Sequence, residues 1–313
     1  MSARYYWGLH LGLIALLFAG HFVLPAYQHG NVARIMVLAV YAMGYNIAFG
    51  YTGLLSLGHA MFFGAGMYGM GLLSYHFDAG ALPSMAAGIV AGAMLSLVVG
   101  LLALRTAGVS FMIVTLMFSQ ALAMTLVYFR DITRGDEGFV IPSATRRLWG
   151  MDLSDEAHRY LIAWGLFSIV LIFTLWLVRH RWGRVFVALR ENEERASLLG
   201  YDAFRTKLGA LVISGTISAL SGAAYALLFG YAGATFAGVQ YSIFPLLWVL
   251  LGGAGTVLGP FVGALFMFYL IDLSSGVTDA YMLIAGVALV LLTLFLPQGL
   301  VGEVKRRLWR DLP

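Results

Sequence analysis

Two groups of residues in this sequence have the polarity to do chemistry, and neither has the spacing of a catalytic centre. The first is the charged stretch 188–207, ALRENEERASLLGYDAFRTK, set between long apolar runs. Asn192 is a good helix N-cap, and Glu193 and Glu194 follow in the first turn, where carboxylates favour the positive helix end. Gly200 suits the left-handed position that closes a helix. The spacing predicts a helix of roughly two turns, with Ala196 and Leu199 on one face and an apolar lead-in from Val185 to Leu189. Isolated helices below ~12–15 residues are marginal in water, so such a helix makes sense docked into a groove. Its chemistry is recognition: Arg190, Glu191, Asn192 and Glu194 present charge and hydrogen bonds to another protein on the cytoplasmic side. An idle loop would need neither the cap nor the glycine stop.

The second group is buried in apolar sequence: Asn46, Ser56, His59, Thr115, Ser119 and Gln120. An ionisable ring at membrane depth is a functional candidate by default. Two readings fit His59, a neutral imidazole that braces a helix kink and a group that lines a path. Asn46, Ser56, Thr115 and Gln120 could line a polar conduit with it, although interhelical hydrogen bonds account for each almost as well. A metal site is disfavoured, since His59 has no second ligand at a fitting offset. Phe62, Phe63 and Tyr68 fit packing better than binding.

The elements that must position these residues follow from composition. The 313 residues are 61% hydrophobic and 11% charged, with a mean hydropathy of +0.86, which places the chain in the membrane class. A helix needs roughly 20 apolar residues to cross a ~30 Å hydrocarbon layer. Candidate spans are 9–25, 33–50, 53–75, 83–104, 108–128, 160–178, 207–230, 241–252, 256–272 and 281–297. The eighth is too short to cross alone and pairs with the ninth as a broken hairpin. The expected fold is all-α: one polytopic membrane domain over 1–313, with about ten helices and discontinuous spans.

The net charge of +4 does not point to nucleic acid, because the basic residues collect in loops and tails. They lie at Arg179, Arg181, Arg184, Arg190, Arg195, Arg205 and Lys207, and again at Lys305, Arg306, Arg307 and Arg310. The positive-inside bias puts both clusters and Arg4 in the cytoplasm, so both termini are expected there. The opening 26 residues resemble a signal peptide, but an uncleaved first span agrees better with the charge distribution. With no cysteine, disulfides, thiolate metal sites and covalent haem attachment are excluded.

Two stretches interrupt helical regularity. One runs from Asn46 to His59 and contains Gly50, Gly53 and Gly58; the other, 252–260, contains Gly252, Gly253, Gly255, Gly259 and Pro260. Glycine costs about 1 kcal/mol against alanine in a helix interior. Irregular backbone survives in a membrane only where protein or a water-filled cavity satisfies it, and such breaks mark substrate paths in transporters. Gly255, Gly259 and Gly263 form two G-x-x-x-G steps and Gly88/Gly92 another, either for packing within this chain or for a subunit interface. Gly64–Gly69 matches G-x-G-x-x-G but follows an apolar span rather than a strand, so the dinucleotide reading fails. No G-x-x-x-x-G-K-[ST] motif occurs, so the chain has no visible site for ATP. The loop Phe129–Arg159 carries mixed charge, read either as solvated surface or as a docking face for an external soluble partner.

Several of these motifs together resemble the permeases of branched-chain amino acid ABC transporters. The stretch Ala188–Gly200, followed by Lys207 and by SGTISALSGAA from Ser214, resembles that family's coupling loop. GYTGLLSLGHA from Gly50 resembles its first membrane signature, GGAGTVLGPFVG from Gly252 its second, and LPQGL from Leu296 its C-terminal close. TRGDEG from Thr133 stands where the family carries T-G-G-x-x-G, with Arg134 at the second position. The resemblance runs from about Val32 to Gly302 and is closest to the M-type of the two permease subunits. It implies a pump of five proteins: this permease, a second permease of the H-type, two ATPase subunits that hold ATP and Mg, and an extra-cytoplasmic solute-binding protein. In that setting Arg190, Glu191, Asn192, Glu194 and Gly200 belong to the coupling loop of about 179–207. Arg134, Asp136 and Glu137 belong to the external loop of about 129–159, where the binding protein docks. The chain itself needs no cofactor and catalyses no covalent step. Its place is a bacterial or archaeal cell membrane, the inner one in a Gram-negative cell. Related permeases carry urea, amides and aromatic acids as well as leucine-like solutes.

Two other classes fit less well. An ion-driven secondary transporter would need buried carboxylates at mid-membrane, and Asp272, the one acidic candidate, sits at a span's end. A membrane-embedded enzyme would need clustered His, Asp or Glu, and the seven histidines are scattered.

Overall fold

The computed structural model describes residues 3–308 apart from 149, 277 and 279. Arg310 lies outside the described residues, as do the side chains of Arg4 and Arg307. The chain folds as helices α1 (Ala3–Val23), α2 (Ala26–Asn46, continued by a π-helical turn Ile47–Tyr51), α3 (Ala60–Phe77), α4 (Ala81–Ala103), α5 (Val109–Tyr128), the single turn α6 (Arg130–Thr133) and α7 (Glu156–Arg179). Then come the short α8 (Arg181–Glu191) and α9 (Glu193–Leu198), followed by α10 (Ala203–Phe229), α11 (Val239–Gly252), α12 (Gly259–Ser275), α13 (Tyr281–Phe295) and α14 (Gly299–Leu308). Four two-residue strands complete it. β1 (Phe139–Val140) pairs antiparallel with β4 (Tyr231–Ala232), and β2 (Arg147–Leu148) with β3 (Met151–Asp152). Each of the ten expected spans coincides with a helix. Five are long and apolar enough to cross a membrane by length and composition alone.

Burial sorts these helices. Of the residues in the most apolar stretch of each, 83% are buried in α2 and 78% in α10, but only 28% in α4 and 22% in α5. α2 and α10 therefore form the centre, and α4 and α5 turn apolar side chains such as Val98, Ile113 and Met117 outward. Between α3, α4 and α10, backbones touch: a methyl group at Gly66 would run into the Ala219 carbonyl, and one at Gly222 into that of Phe63. Lipid gives no hydrophobic incentive for helices to associate, so close van der Waals approach through small residues supplies it. α1 is fastened to α7 by side chains that bond its backbone, Tyr160 Oη to the Leu17 carbonyl (2.6 Å) and Trp164 Nε1 to that of Ile14 (2.9 Å).

The structure corrects several expectations. The second helix begins at Ala26 rather than 33, because Gln28, His29 and Asn31 lie inside it; a search for apolar runs trims such residues away. The third begins at Ala60 rather than 53, since 53–59 belongs to the break. The two breaks are not at mid-depth. From Ala26 to Tyr51 the helix has 26 residues, about 39 Å at the α-helical rise, which already exceeds the ~30 Å hydrocarbon layer. The first break thus lies at one end of the bundle, and contacts described below put the second break and α8–α9 at that same end. Gly255 is not part of a helical stripe but a turn residue at φ 75°. Gly259 and Gly263 do pack, against the backbone of α11 at Gly252–Gly253 and Trp248.

Nor is Phe129–Arg159 a plain loop, since it holds α6, β1 and the β2–β3 hairpin. Arg146 reaches from it across the end of α10. Its Nε donates to the Leu227 carbonyl (2.8 Å), and one of its terminal nitrogens donates to those of Leu228 (2.6 Å) and Leu153 (3.2 Å). A cation there satisfies carbonyls that the helix leaves unbonded and matches its negative end.

Gly263→Leu should lower the melting midpoint of the purified chain, by at least the ~1–3 kcal/mol typical of overpacking. Gly209→Leu, with open space around the glycine, should leave it nearly unchanged. Equal melting of the two variants in a detergent thermal-shift measurement would contradict the α11–α12 packing.

Candidate functional site

At the end of the bundle that carries α8 and α9, one asparagine holds two broken helices together. Asn46 is fully buried at the last regular turn of α2. Its Nδ2 donates to the Thr256 carbonyl (2.8 Å), and its Oδ1 accepts from the Gly255 amide (3.0 Å). The carboxamide thus pairs with the second break as a peptide group would. The break itself is possible because Gly253 (φ 118°) and Gly255 (φ 75°) take left-handed backbone, which a side chain would strain. Thr256 Oγ1 then accepts from the Gly259 amide (3.1 Å) and starts α12, with Pro260 in its first turn.

Arg190, the penultimate residue of α8, adds the third strand of this knot. Its guanidinium donates to the carbonyl of Gly50 in the π turn and lies against Gly255, and its aliphatic stem lies against Gly53. Clefts of about 650 Å³ and 600 Å³ open on either side of it. One is bounded by the α4–α5 turn, the other by Pro297–Arg306, so α14 also sits at this end. Sequence reasoning groups Arg190 with the residues that face a partner. In the structure Arg190 is exposed, as are Glu191, Asn192 and Glu194, yet its guanidinium also reaches Gly50 of the first break and Gly255 of the second.

The charged stretch forms two helices rather than one. Gly183, Phe186 and Leu189, three residues apart, are the buried face of amphipathic α8. An elbow at Asn192, with extended backbone, separates α8 from α9. The predicted caps are present. Asn192 Oδ1 accepts from the Arg195 amide (2.9 Å). At Gly200 (φ 88°) the chain closes with Gly200 N–H to Ser197 C=O (2.9 Å) and Tyr201 N–H to Ala196 C=O (3.2 Å), the paired bonds of a Schellman motif. Ala196 is buried, but Leu199 is exposed rather than sharing its face, as are Leu198 and Tyr201. Lys207 of α10 bonds Glu193, tying α9 to the helix that follows.

The buried polar residues brace the first break. His59 Nε2 lies 2.9 Å from Ser214 Oγ, and that hydroxyl donates its one proton to the Gly44 carbonyl; the imidazole is therefore the donor of the pair. Tyr45 Oη donates to the Ser56 carbonyl (3.1 Å), and Ser56 Oγ accepts from the Gly58 amide (3.4 Å). Thr115 Oγ1 accepts from the Leu57 amide (3.3 Å) and donates to the Met112 carbonyl (2.9 Å). Asn46, Ser56, His59 and Thr115 thus converge on one segment and are fully buried. Gln120 stands apart, half-buried and further along α5.

The family model described as "Branched-chain amino acid transport system / permease component" matches residues 30–295. This chain belongs to that family. It is 28% identical over 325 residues to the high-affinity branched-chain amino acid transport system permease protein LivM of Escherichia coli K12, covering 95% of this chain and 75% of LivM. The probable LivM of Methanocaldococcus jannaschii is 28% identical over 210 residues, 61% of this chain and 59% of that protein. LivH of Escherichia coli K12 is 24% identical over 286 residues, 85% of this chain and 91% of LivH. No solved structure gives a significant match.

At the opposite end, the permease carries the segment Thr133–Gly138. Arg134 (φ 62°), Gly135 (φ 59°) and Gly138 (φ 64°) all adopt left-handed backbone. That geometry accounts for the glycine expected at the second position, because a side chain there costs roughly 1–2 kcal/mol. Arg134 offsets part of this by bonding Tyr75 Oη (3.1 Å) and lying over its ring. Arg134, Asp136 and Glu137 are all exposed.

Asn46→Leu keeps volume but removes both bonds to the second break. Leaving buried backbone groups unpaired costs ~1–3 kcal/mol each. Amide hydrogen exchange across 253–258 should speed up by an order of magnitude or more while α3 and α4 stay protected; unchanged exchange would show that the carboxamide does not hold the break.

Proposed function

We propose that this permease is one membrane subunit of an ATP-binding-cassette importer for branched-chain or related amino acids. It pairs with a LivH-type permease in a bacterial or archaeal cell membrane. Ten helices cross, both termini are cytoplasmic, and α8–α9 dock on one of two partner ATPases. An external solute-binding protein delivers the solute at the end that carries Arg134, Asp136 and Glu137. The chain catalyses no covalent chemistry; ATP and Mg belong to the partners.

One observation carries the reading: Arg190 runs from the docking elements into both helix breaks, where Asn46 joins them. Nucleotide-driven closure of the ATPases pushes α9, the elbow at Asn192 turns α8, and Arg190 passes the shift to the carbonyl of Gly50 and to Gly255. Two helices interrupted at one end then move together relative to α3–α5. Lys207 couples the same push to the foot of α10. A small polar solute suits such a path, since backbone groups at the breaks can replace its water transiently and weak binding does not slow release.

Charge reversal at Arg190 or Glu191, or Gly200→Pro, should abolish uptake. The four-subunit membrane complex should still assemble, yet solute-loaded binding protein should no longer stimulate ATP hydrolysis. Proline is barred from Gly200 by its fixed negative φ. Full stimulation in all three variants would sink the coupling assignment.

A further inference from the structure

From Val32 onward α2 is buried apart from the half-buried Leu38, and Arg34 is the exposed exception. Its neighbours Ala33 and Ile35 are wholly buried, whereas Arg34 is exposed. A guanidinium on the central helix of a membrane bundle must reach water, and the exposed Arg34 opens to the surface there. The residue sits eight positions into α2, about 12 Å along the axis from the helix start, at the end opposite the coupling elements. Its guanidinium lies 5.1 Å from the ring centroid of Phe229. Arg159 of α7 places a second guanidinium 5.5 Å from the same centroid. Two cations therefore share one aromatic ring. Among the described residues, neither has a carboxylate within ion-pair distance. Arg159 bonds only one carbonyl, that of Ser154, and its Nε is buried without an acceptor. One turn from Arg34, the buried Nδ2 of Asn31 also lacks one. Two like charges at one ring, with spare donors beside each, ask for an anion.

From Phe229 a seam of packed aromatic rings runs inward. Phe229 packs on Tyr225 (centroids 4.7 Å apart), Tyr225 on Phe63 (5.9 Å), Phe63 on Tyr41 (4.8 Å), and Tyr41 on His59 of the first break (6.3 Å). The seam joins the opening to the segment that the coupling elements touch.

We propose that Arg34 and Arg159 form the entry site for the solute, taking the carboxylate of a small amino acid on their guanidinium groups and its apolar side chain against Phe229 and Tyr225. Arginine holds carboxylates through paired, charge-assisted hydrogen bonds, and ring faces accept both hydrocarbon and an ammonium group. The depth of Arg34 favours a small solute over a side chain of a docked protein. This deepens the import reading above and rests on it.

The test is protection from phenylglyoxal, an arginine-specific reagent, on the full chain in phosphatidylcholine nanodiscs, with Arg34 modification read by peptide mass spectrometry. L-leucine and 4-methylpentanoate should slow modification roughly ten-fold, the worth of a charge-assisted bond, and L-leucinamide should not. No protection by either carboxylate would overturn the site. So would protection by phosphatidylglycerol alone, which would assign the pair to a lipid headgroup, or by solute-free binding protein alone, which would assign it to docking. In the assembled transporter, Arg34→Gln should lower leucine uptake roughly ten-fold with binding-protein-stimulated ATP hydrolysis retained, and Arg34→Lys should recover part of it. Equal uptake by wild type and Arg34→Gln would end this inference and leave the import reading standing. Carboxylate protection in a wild-type complex that imports no amino acid would do the reverse.

Discussion

A helix interrupted inside an apolar bundle leaves amide and carbonyl groups that water cannot reach, and each must find a partner or cost several kcal/mol. This permease has two such interruptions, and it sets them side by side. The carboxamide of Asn46 closes one against the other, Thr256 restarts the chain as α12, and Arg190 covers the remaining carbonyl of the first. Placing both breaks at one end is what allows a side chain from outside the bundle to complete them. The coupling elements are thus part of how the membrane fold satisfies its own backbone. An input at α8 cannot shift Arg190 without disturbing both breaks.

The rest of the bundle is built to resist such disturbance. α3, α4 and α10 touch through small residues, and serine and threonine hydroxyls bond carbonyls across and along helices, as Ser221 does to Val37 (2.6 Å) and Ser119 to Ala237 (3.0 Å). Cores packed this closely respond to force by moving as bodies rather than deforming. The glycine-rich turns are the points where the helices are interrupted, with left-handed backbone at Gly53, Gly253 and Gly255 held by side chains from other elements.

Much of this architecture is legible in the chain because local chemistry fixes it. Asn192 and Gly200 delimit α9 as caps do in any helix, and the two glycine clusters mark the breaks. What sequence hides is depth and direction. An apolar run does not say where in the bilayer it begins, so Gln28, His29 and Asn31, polar yet helical, shift the start of α2 outward and leave its break at the far end. Arg190 resembles any exposed cation of the charged stretch, and only the fold shows its head turned to Gly50. Gly255 continues a G-x-x-x-G spacing by number while its backbone belongs to a turn. The amphipathic pattern of α8 was available at 181–191 but overlaps the apolar lead-in to α9. Gln120 shares the polarity of its companions but not their place.

α10 runs unbroken from Asp202, whose carboxylate caps its first turn, to Gly230, where Arg146 closes its last. Its 27 residues contain no proline and extend about 40 Å, the full thickness of the membrane. A strut of that kind has no internal joint in which to lose displacement. Whatever tilts its foot, beside Lys207 and α9, swings its head and drags the Arg146 hairpin and the β1–β4 pair with it. The two ends of the bundle are therefore in mechanical register through a single helix, and the loops at one end can follow what happens at the other.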